Sequence, residues 1–271
     1  MPKKSERIDS LLVLQGQVPS RERAKQLIMA GNVVVNDQIV DKPGKLVSTD
    51  SIIVLRQTDS CPFVSRGGFK LKKAIDEFGI NVNGKTAIDV GASTGGFTDC
   101  LLQSGADFVY AVDVGYGQLD WKLRNDGRVR VIERTNIRYV KPEQFEKPID
   151  LATIDVSFIS LDKVVPVVIS LLNPEGDILA LIKPQFEAGR KLVGKGGVVK
   201  DPNVHCKVIQ SVCDMAIKSE LVVKGITYSP IKGPSGNIEY LVWFQKSDAQ
   251  GLDNIEETID SVVSKAHNAD F

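Results

Sequence analysis

Residues 86–101, TAIDVGASTGGFTDCL, constrain the fold of this chain more than any other stretch. A short apolar run over residues 87–90 breaks into a glycine-rich turn at Gly91, Gly95 and Gly96, and a helical segment follows from Phe97. Strand, tight turn and helix start, in that order, build a nucleotide-type pocket. Glycines let the backbone come close to a ligand, and N–H groups of the helix's first turn point at it. The dinucleotide fingerprint needs G-x-G-x-x-G, and Ser93 stands where its second glycine would be, which lowers the NAD reading. Further on, the run Phe108–Val112 ends in Asp113, where the second strand of a doubly wound sheet presents a carboxylate to a ribose diol. Asp113 suits an adenosine ligand with or without pyrophosphate. The plainer alternative is a surface aspartate after an ordinary strand-to-helix turn.

Around this turn the pattern is that of a parallel α/β sheet. Apolar runs at Phe108–Val112, Val129–Ile132, 151–154 and 178–182 alternate with helix-length segments. Residues 221–228 and 239–244 flank the turn-rich KGPSGN and read as an antiparallel pair closing the sheet's edge. That addition favours a methyltransferase-type sheet over a dehydrogenase-type one. Ahead of the first strand, SRGGFKLKKAIDEFGI keeps Leu71, Ala74, Ile75 and Phe78 at helical spacing. Near the end, Asn254 with Glu257 three residues later caps a last helix whose Ile255, Ile259, Val262 and Val263 share one face, a packing element.

The front of the chain differs in charge and pattern. Net charge is formally zero, from 34 basic and 34 acidic residues, yet residues 1–75 hold thirteen Lys and Arg against seven Asp and Glu. Two readings fit: a polyanion-binding module, or a solvated basic surface. Residues 8–14 read as a short helix stopped by Gly16, and Ser20 caps a second over 21–30, with Ala24, Leu27 and Ile28 inward. Arg21 and Arg23 fall in its first turn, where the helix dipole disfavours cations unless an anion lies between them; a phosphate would supply one. Short strands at 33–35, 39–40 and 52–55, with a turn at Asn36 and Asp37, complete a compact unit, and residues 56–63 read as a linker. The four cysteines form no C-x-x-C pair and there are two histidines, so no metal site is expected and the thiols read as reduced. The longest nearly unbroken apolar run, 164–172, falls short of the roughly 18 to 20 residues a membrane span needs, and no signal-peptide pattern opens the chain; the expectation is a cytoplasmic protein.

Four charged residues fall where a parallel sheet brings side chains to the carboxyl ends of its strands: Lys70, Asp155, Lys183 and Glu239. An ion-pair network at the sheet edge would use the same residues. Against that background RIDSLLVLQG, SRERAKQLIMAGNVVVN and DSIIVL resemble the small S-four RNA-binding domain. DVGASTGGFTDCL, IDVSFISL, LIKPQFEAG and KGPSGNIEYL together resemble the haemolysin A-like (TlyA) family of ribosomal RNA 2′-O-methyltransferases, which join that domain to an FtsJ-like methyltransferase domain.

The resemblance implies a class I, Rossmann-like methyltransferase sheet with a small α+β domain in front. The expected segments are 1–58 for the S-four domain, 59–65 for a linker, 66–246 for the methyltransferase and 247–271 for a tail with a short helix. It implies S-adenosylmethionine as cofactor and ribosomal RNA or ribosomal subunits as partner, with cytidine ribose as the methyl acceptor. Lys70, Asp155, Lys183 and Glu239 become a catalytic tetrad. Gly91, Ser93, Thr94, Gly95 and Gly96 line the methionine end of the cofactor, Asp113 its ribose and Asn136 its adenine. Arg7, Arg21, Arg23 and Lys25 become RNA contacts by position, and Arg66 is counted with them. Lys183 is the expected base, with Lys70 and partial burial lowering its pKa and the two acids opposing that shift. Some members carry a tryptophan-containing stretch at the linker; here it is CPFV, with Phe63 as the available ring. Two rival functions are disfavoured: a membrane-active haemolysin, for which the sequence offers neither a spanning segment nor a strongly basic amphipathic helix, and a non-catalytic RNA-binding assembly factor, against which the intact tetrad argues.

Overall fold

The computed structural model describes residues 5–18, 20–29, 31–36, 38–55, 61–246 and 250–271. The chain divides into two compact units, Met1–Pro62 and Phe63–Phe271.

In the first unit β1 (Ser5–Arg7) runs into α1 (Ile8–Leu14), followed by α2 (Arg21–Met29), β2 (Val33–Val35), β3 (Gln38–Ile39), β4 (Leu46–Ser48) and β5 (Ile53–Leu55). An isolated seven-residue helix is unstable in water. α1 persists because Ile8, Leu11 and Leu12 share one apolar core with Ala24 and Ile28 of α2 and with Val33, Val35 and Val47. Ser20 caps α2 as its side chain suggests, its Oγ accepting from the Arg23 N–H at 3.2 Å. β2 lies between β3 and β5, while β1 pairs antiparallel with β4. The β1–β4 ladder has no counterpart in the sequence reading, because three residues are too few to show alternation. Ala30, Asp37, residues 56–60 of the expected linker and residues 247–249 lie outside the described residues.

The second unit runs α3 (Gly67–Phe78), β6 (Thr86–Val90), α4 (Gly96–Gln103), β7 (Phe108–Val112), α5 (Trp121–Arg124), β8 (Val129–Ile132), β9 (Ile149–Ile154), α6 (Val165–Leu171), β10 (Leu172–Ile182), α7 (Pro184–Glu187), α8 (Pro202–Lys218), β11 (Val222–Tyr228), β12 (Tyr240–Gln245) and α9 (Ile255–His267). Its seven strands are ordered β11-β12-β10-β9-β6-β7-β8. From β8 to β10 all neighbours are parallel, and β12 is antiparallel to both β10 and β11. β9 and β10 are buried along most of their length, as expected of parallel strands covered on both faces. The chain leaves β6 toward β7 and β8, then returns to β9 on the other flank of β6. Open sheets bind ligands at such a reversal, beyond the carboxyl ends of the strands.

Two further segments are tied into the second unit. α9 places Ile259, Val262, Val263 and Ala266 in the main core, and Asn254 caps it, accepting from the Glu257 N–H and donating to Glu257 Oε2, each at 3.1 Å. Phe63 and Val64, within the expected linker, pack in the second unit. The buried Phe63 ring takes the space a side chain at position 68 would need, and the Val64 N–H donates to Asp99 Oδ2 at 2.8 Å.

Candidate active site

Strand register builds the site. Ile182 pairs with Tyr240 at the end of the β10–β12 ladder, so Lys183 and Glu239 come next on facing strands. Ile154 pairs with Val90 where β9 and β6 end, so Asp155 and Gly91 follow side by side. With neighbouring strands roughly 4.8 Å apart, Gly91, Asp155, Lys183 and Glu239 form a row along one edge of the sheet. Lys70 joins it from α3, its Nζ donating to Glu239 Oε2 at 2.6 Å. Lys183 Nζ lies 2.5 Å from Asp155 Oδ1 and donates to Ser157 Oγ at 3.0 Å.

Lys70, Lys183 and Glu239 are buried. Buried charges are tolerated only when paired, so the two ion pairs explain how two amines sit at a sheet edge largely cut off from water. The four predicted residues are brought together, as two Lys–carboxylate pairs.

The glycine turn does what its composition suggests. Gly91 has φ +88°, and a Cβ there would lie 2.5 Å from the Asp155 carbonyl oxygen, so no other residue fits. Gly95 caps α4 with left-handed backbone and no side chain, leaving the helix start open. The space a side chain would need at Gly95 is filled by Leu119 and Leu123, and at Gly96 by Ser65, Gly67 and Gly68. The Gly95 N–H is already donated to the Ala92 carbonyl at 2.7 Å, so of these two glycines it is Gly96 whose N–H can serve a ligand. Ser93, itself at φ +48°, donates its N–H to Asp113 Oδ2 at 2.8 Å, and the Gly115 N–H donates to Oδ1 at 2.6 Å. Asp113 so ties the loops after β6 and β7 together and keeps lone pairs for a diol. Thr94 accepts from the Asp120 N–H through its carbonyl at 3.1 Å. Asn136 Oδ1 accepts from the Arg138 N–H at 3.1 Å, and its amide NH2 has no partner among the described residues.

Three functional candidates escaped the sequence reading. Asp89, inside β6, is fully buried and accepts from Thr98 Oγ1 at 2.6 Å and Thr153 Oγ1 at 3.2 Å. Burial pushes its carboxyl up to about 7, and the nearby Asp155 acts in the same direction. A carboxylate within an apolar strand run was the available signal. Phe158 is 91% exposed at φ +63°, its ring 5.0 Å from that of Phe186; backbone of that kind costs a non-glycine residue about 1–3 kcal/mol. Glu187 accepts from Ser160 Oγ at 2.5 Å and from the Leu161 N–H at 2.9 Å, holding the loop that carries Phe158.

The RNA candidates are distributed over both units. Arg7 and Arg21 converge on Asp9, so the anion that the dipole argument required near Arg21 is supplied by the chain itself. Lys25 pairs with Glu22 at 3.0 Å, Arg23 is exposed in the same helix, and Arg66 stands exposed at the start of α3.

A seven-stranded sheet with one antiparallel strand, a glycine turn at its switch point and a carboxylate closing the next strand define a methyltransferase. Residues 63–246 match the FtsJ-like methyltransferase family and residues 6–53 match the S4 domain. The chain belongs to the FtsJ-like methyltransferase family, in the branch that carries an S4 domain. It is 41% identical over 261 residues to the 16S/23S rRNA (cytidine-2′-O)-methyltransferase TlyA of Mycobacterium tuberculosis, covering 96% of this chain and 97% of that one. It is 45% identical over 240 residues to Hemolysin A of Brachyspira hyodysenteriae, covering 88% and 99%. A solved structure from Streptococcus thermophilus, described as a candidate hemolysin, superposes with a TM-score of 0.78 at 45% identity, over 97% of this chain and 96% of that one. No helix among the described residues is long and apolar enough to cross a membrane.

The methyl donor of the family is S-adenosylmethionine. The residues present fit it: Gly91 lets the turn pass against the Asp155 backbone, the uncapped start of α4 suits a carboxylate, and Asp113 suits the ribose diol.

Proposed function

We propose that this protein methylates the 2′-hydroxyl of a cytidine ribose in ribosomal RNA, docking its substrate through the first unit and reacting at the row of Lys70, Asp155, Lys183 and Glu239. The observation that carries this reading is the two Lys–carboxylate contacts at the carboxyl ends of the strands beside the glycine turn, with both lysines buried; the names of the relatives support the substrate. A cytoplasmic location goes with it, since ribosomal subunits are found there.

When bound, S-adenosylmethionine supplies a methyl group on a sulfonium. Gly91, Ser93, Thr94, Gly95 and Gly96 hold its methionine end, Asp113 its ribose and Asn136 its adenine. A ribose hydroxyl is a poor nucleophile, so the protein must align it and accept its proton as the oxygen–carbon bond forms and the carbon–sulfur bond breaks. Lys183 Nζ is the group placed to take that proton. Asp155, 2.5 Å away, stabilises the ammonium that results, and Ser157 fixes the amine's direction. Lys70, steered by Glu239, presents a second positive group toward the developing alkoxide. Phe158 offers an exposed ring face on which the target base can stack.

The test is incubation of the full chain with labelled S-adenosylmethionine and unmodified ribosomal subunits, followed by mapping of the label. Label on a cytidine 2′-oxygen is expected. Label on a base, or no transfer to either subunit, would overturn the proposal.

A further inference from the structure

Among the described residues of the first unit one charged side chain is wholly buried, Asp9 in α1. Its carboxylate is saturated. Arg7 donates to it as a fork, Nε to Oδ1 at 3.0 Å and Nη2 to Oδ2 at 2.9 Å. Arg21 donates through Nη2 to the same Oδ2 at 3.0 Å, and the Ser10 N–H donates to Oδ1 at 2.9 Å. Two bonds ending on one oxygen put the guanidiniums side by side.

The arginines themselves are not buried. Their side chains are 46% and 52% exposed, so their outer N–H edges face solvent, where a guanidinium fork matches a phosphate. A free arginine on a surface gives up rotamer entropy when it is fixed on a ligand. Arginines already fixed by an internal carboxylate have lost much of that freedom beforehand. As a charge alone Asp9 works against anion binding, since it cancels one of the two positive charges beside it. Its burial among four donors makes sense as a means of holding direction.

We propose that Asp9 is a positioning residue for RNA docking, setting Arg7 and Arg21 as a fixed pair that receives one backbone phosphate. This rests on the reading that the first unit binds ribosomal RNA. Charge and geometry predict opposite results, which makes the proposal testable in the full chain by filter binding to labelled large and small ribosomal subunits in separate arms. If the unaltered protein binds neither subunit, the RNA reading of the first unit fails and the proposal with it. Given binding, Asp9→Asn adds one positive charge to this face and should still weaken affinity at least fivefold near 0.1 M salt. The slope of log affinity against log salt should fall by about one contact. Arg7→Lys with Arg21→Lys keeps the net charge and a partner for Asp9 but loses the fork, and should weaken binding by a similar factor. Equal or tighter binding by Asp9→Asn, or unchanged binding by the double lysine variant, overturns the proposal while leaving RNA binding intact. Should Asp9→Asn not fold, judged by circular dichroism, the double lysine variant decides.

Discussion

In the first unit Asp9 is buried and its two arginines stand about half exposed, whereas in the second unit Lys70 and Glu239 are both buried. The same kind of ion pair is thus turned in two directions. Around Asp9 the acid anchors and the cations face outward, where a polyanion can reach them. At the sheet edge the cations are turned inward, where little water competes and a proton can be handled at a fixed atom. Under the proposed function, burial of the cation, more than the presence of a pair, separates the docking surface from the reaction centre.

That contrast breaks most readily at Lys183. Lys183→Ala should lower single-turnover methyl transfer by about 10²–10⁴-fold, the usual range for a positioned base, with subunit and cofactor affinities changed less than twofold. Transfer at the native rate would remove Lys183 from the role of base. Next comes Lys70→Met, which leaves Glu239 buried without its cation and should cost about 3–5 kcal/mol in urea unfolding. Adding Glu239→Leu should restore most of that stability and none of the methylation; recovery of both would reduce the pair to a structural contact.

Asp89 tests the inward face by pH. Its carboxyl ionises near 3.8 in the unfolded chain but only near 7 when folded. Below this window it is neutral in both states, and as pH rises through it the unfolded state gains stability. Asp89→Asn removes this titration, so the variant should gain on the wild type by up to about 4 kcal/mol between the ends of the window. Urea titrations at pH 4.5 and 7.5 measure it, and an equal difference at both would contradict the assignment. The smallest effect is expected on the outer face. Lys25→Gln breaks an exposed pair with Glu22 and should change stability by under 1 kcal/mol in the same assay.

Much of the fold was legible because its signals are periodic. β7 and β8 match the runs read from sequence, and β9 and β10 extend theirs toward the amino end. Glycines 91, 95 and 96 marked the switch point, and the order of charged strand ends brought Lys183 opposite Glu239 through register alone. Other features leave little local trace. The β1–β4 ladder is too short for alternation. Phe158 looks like any apolar residue until its backbone and exposure are known. Asp9 follows Arg7 in a helix start that reads as amphipathic, and only the folded unit shows that Arg21, twelve residues on, meets it.

The seat of Phe63 beside Gly68 governs how the molecule can be dissected. That ring supports the opening of α3, the helix that delivers Lys70. A fragment beginning at Ser65 would leave a hole under the helix, and its inactivity would report damage beside Lys70 instead of the missing first unit. Cutting ahead of Phe63 keeps the plug in place, so only that fragment asks a fair question about what the front of the chain contributes.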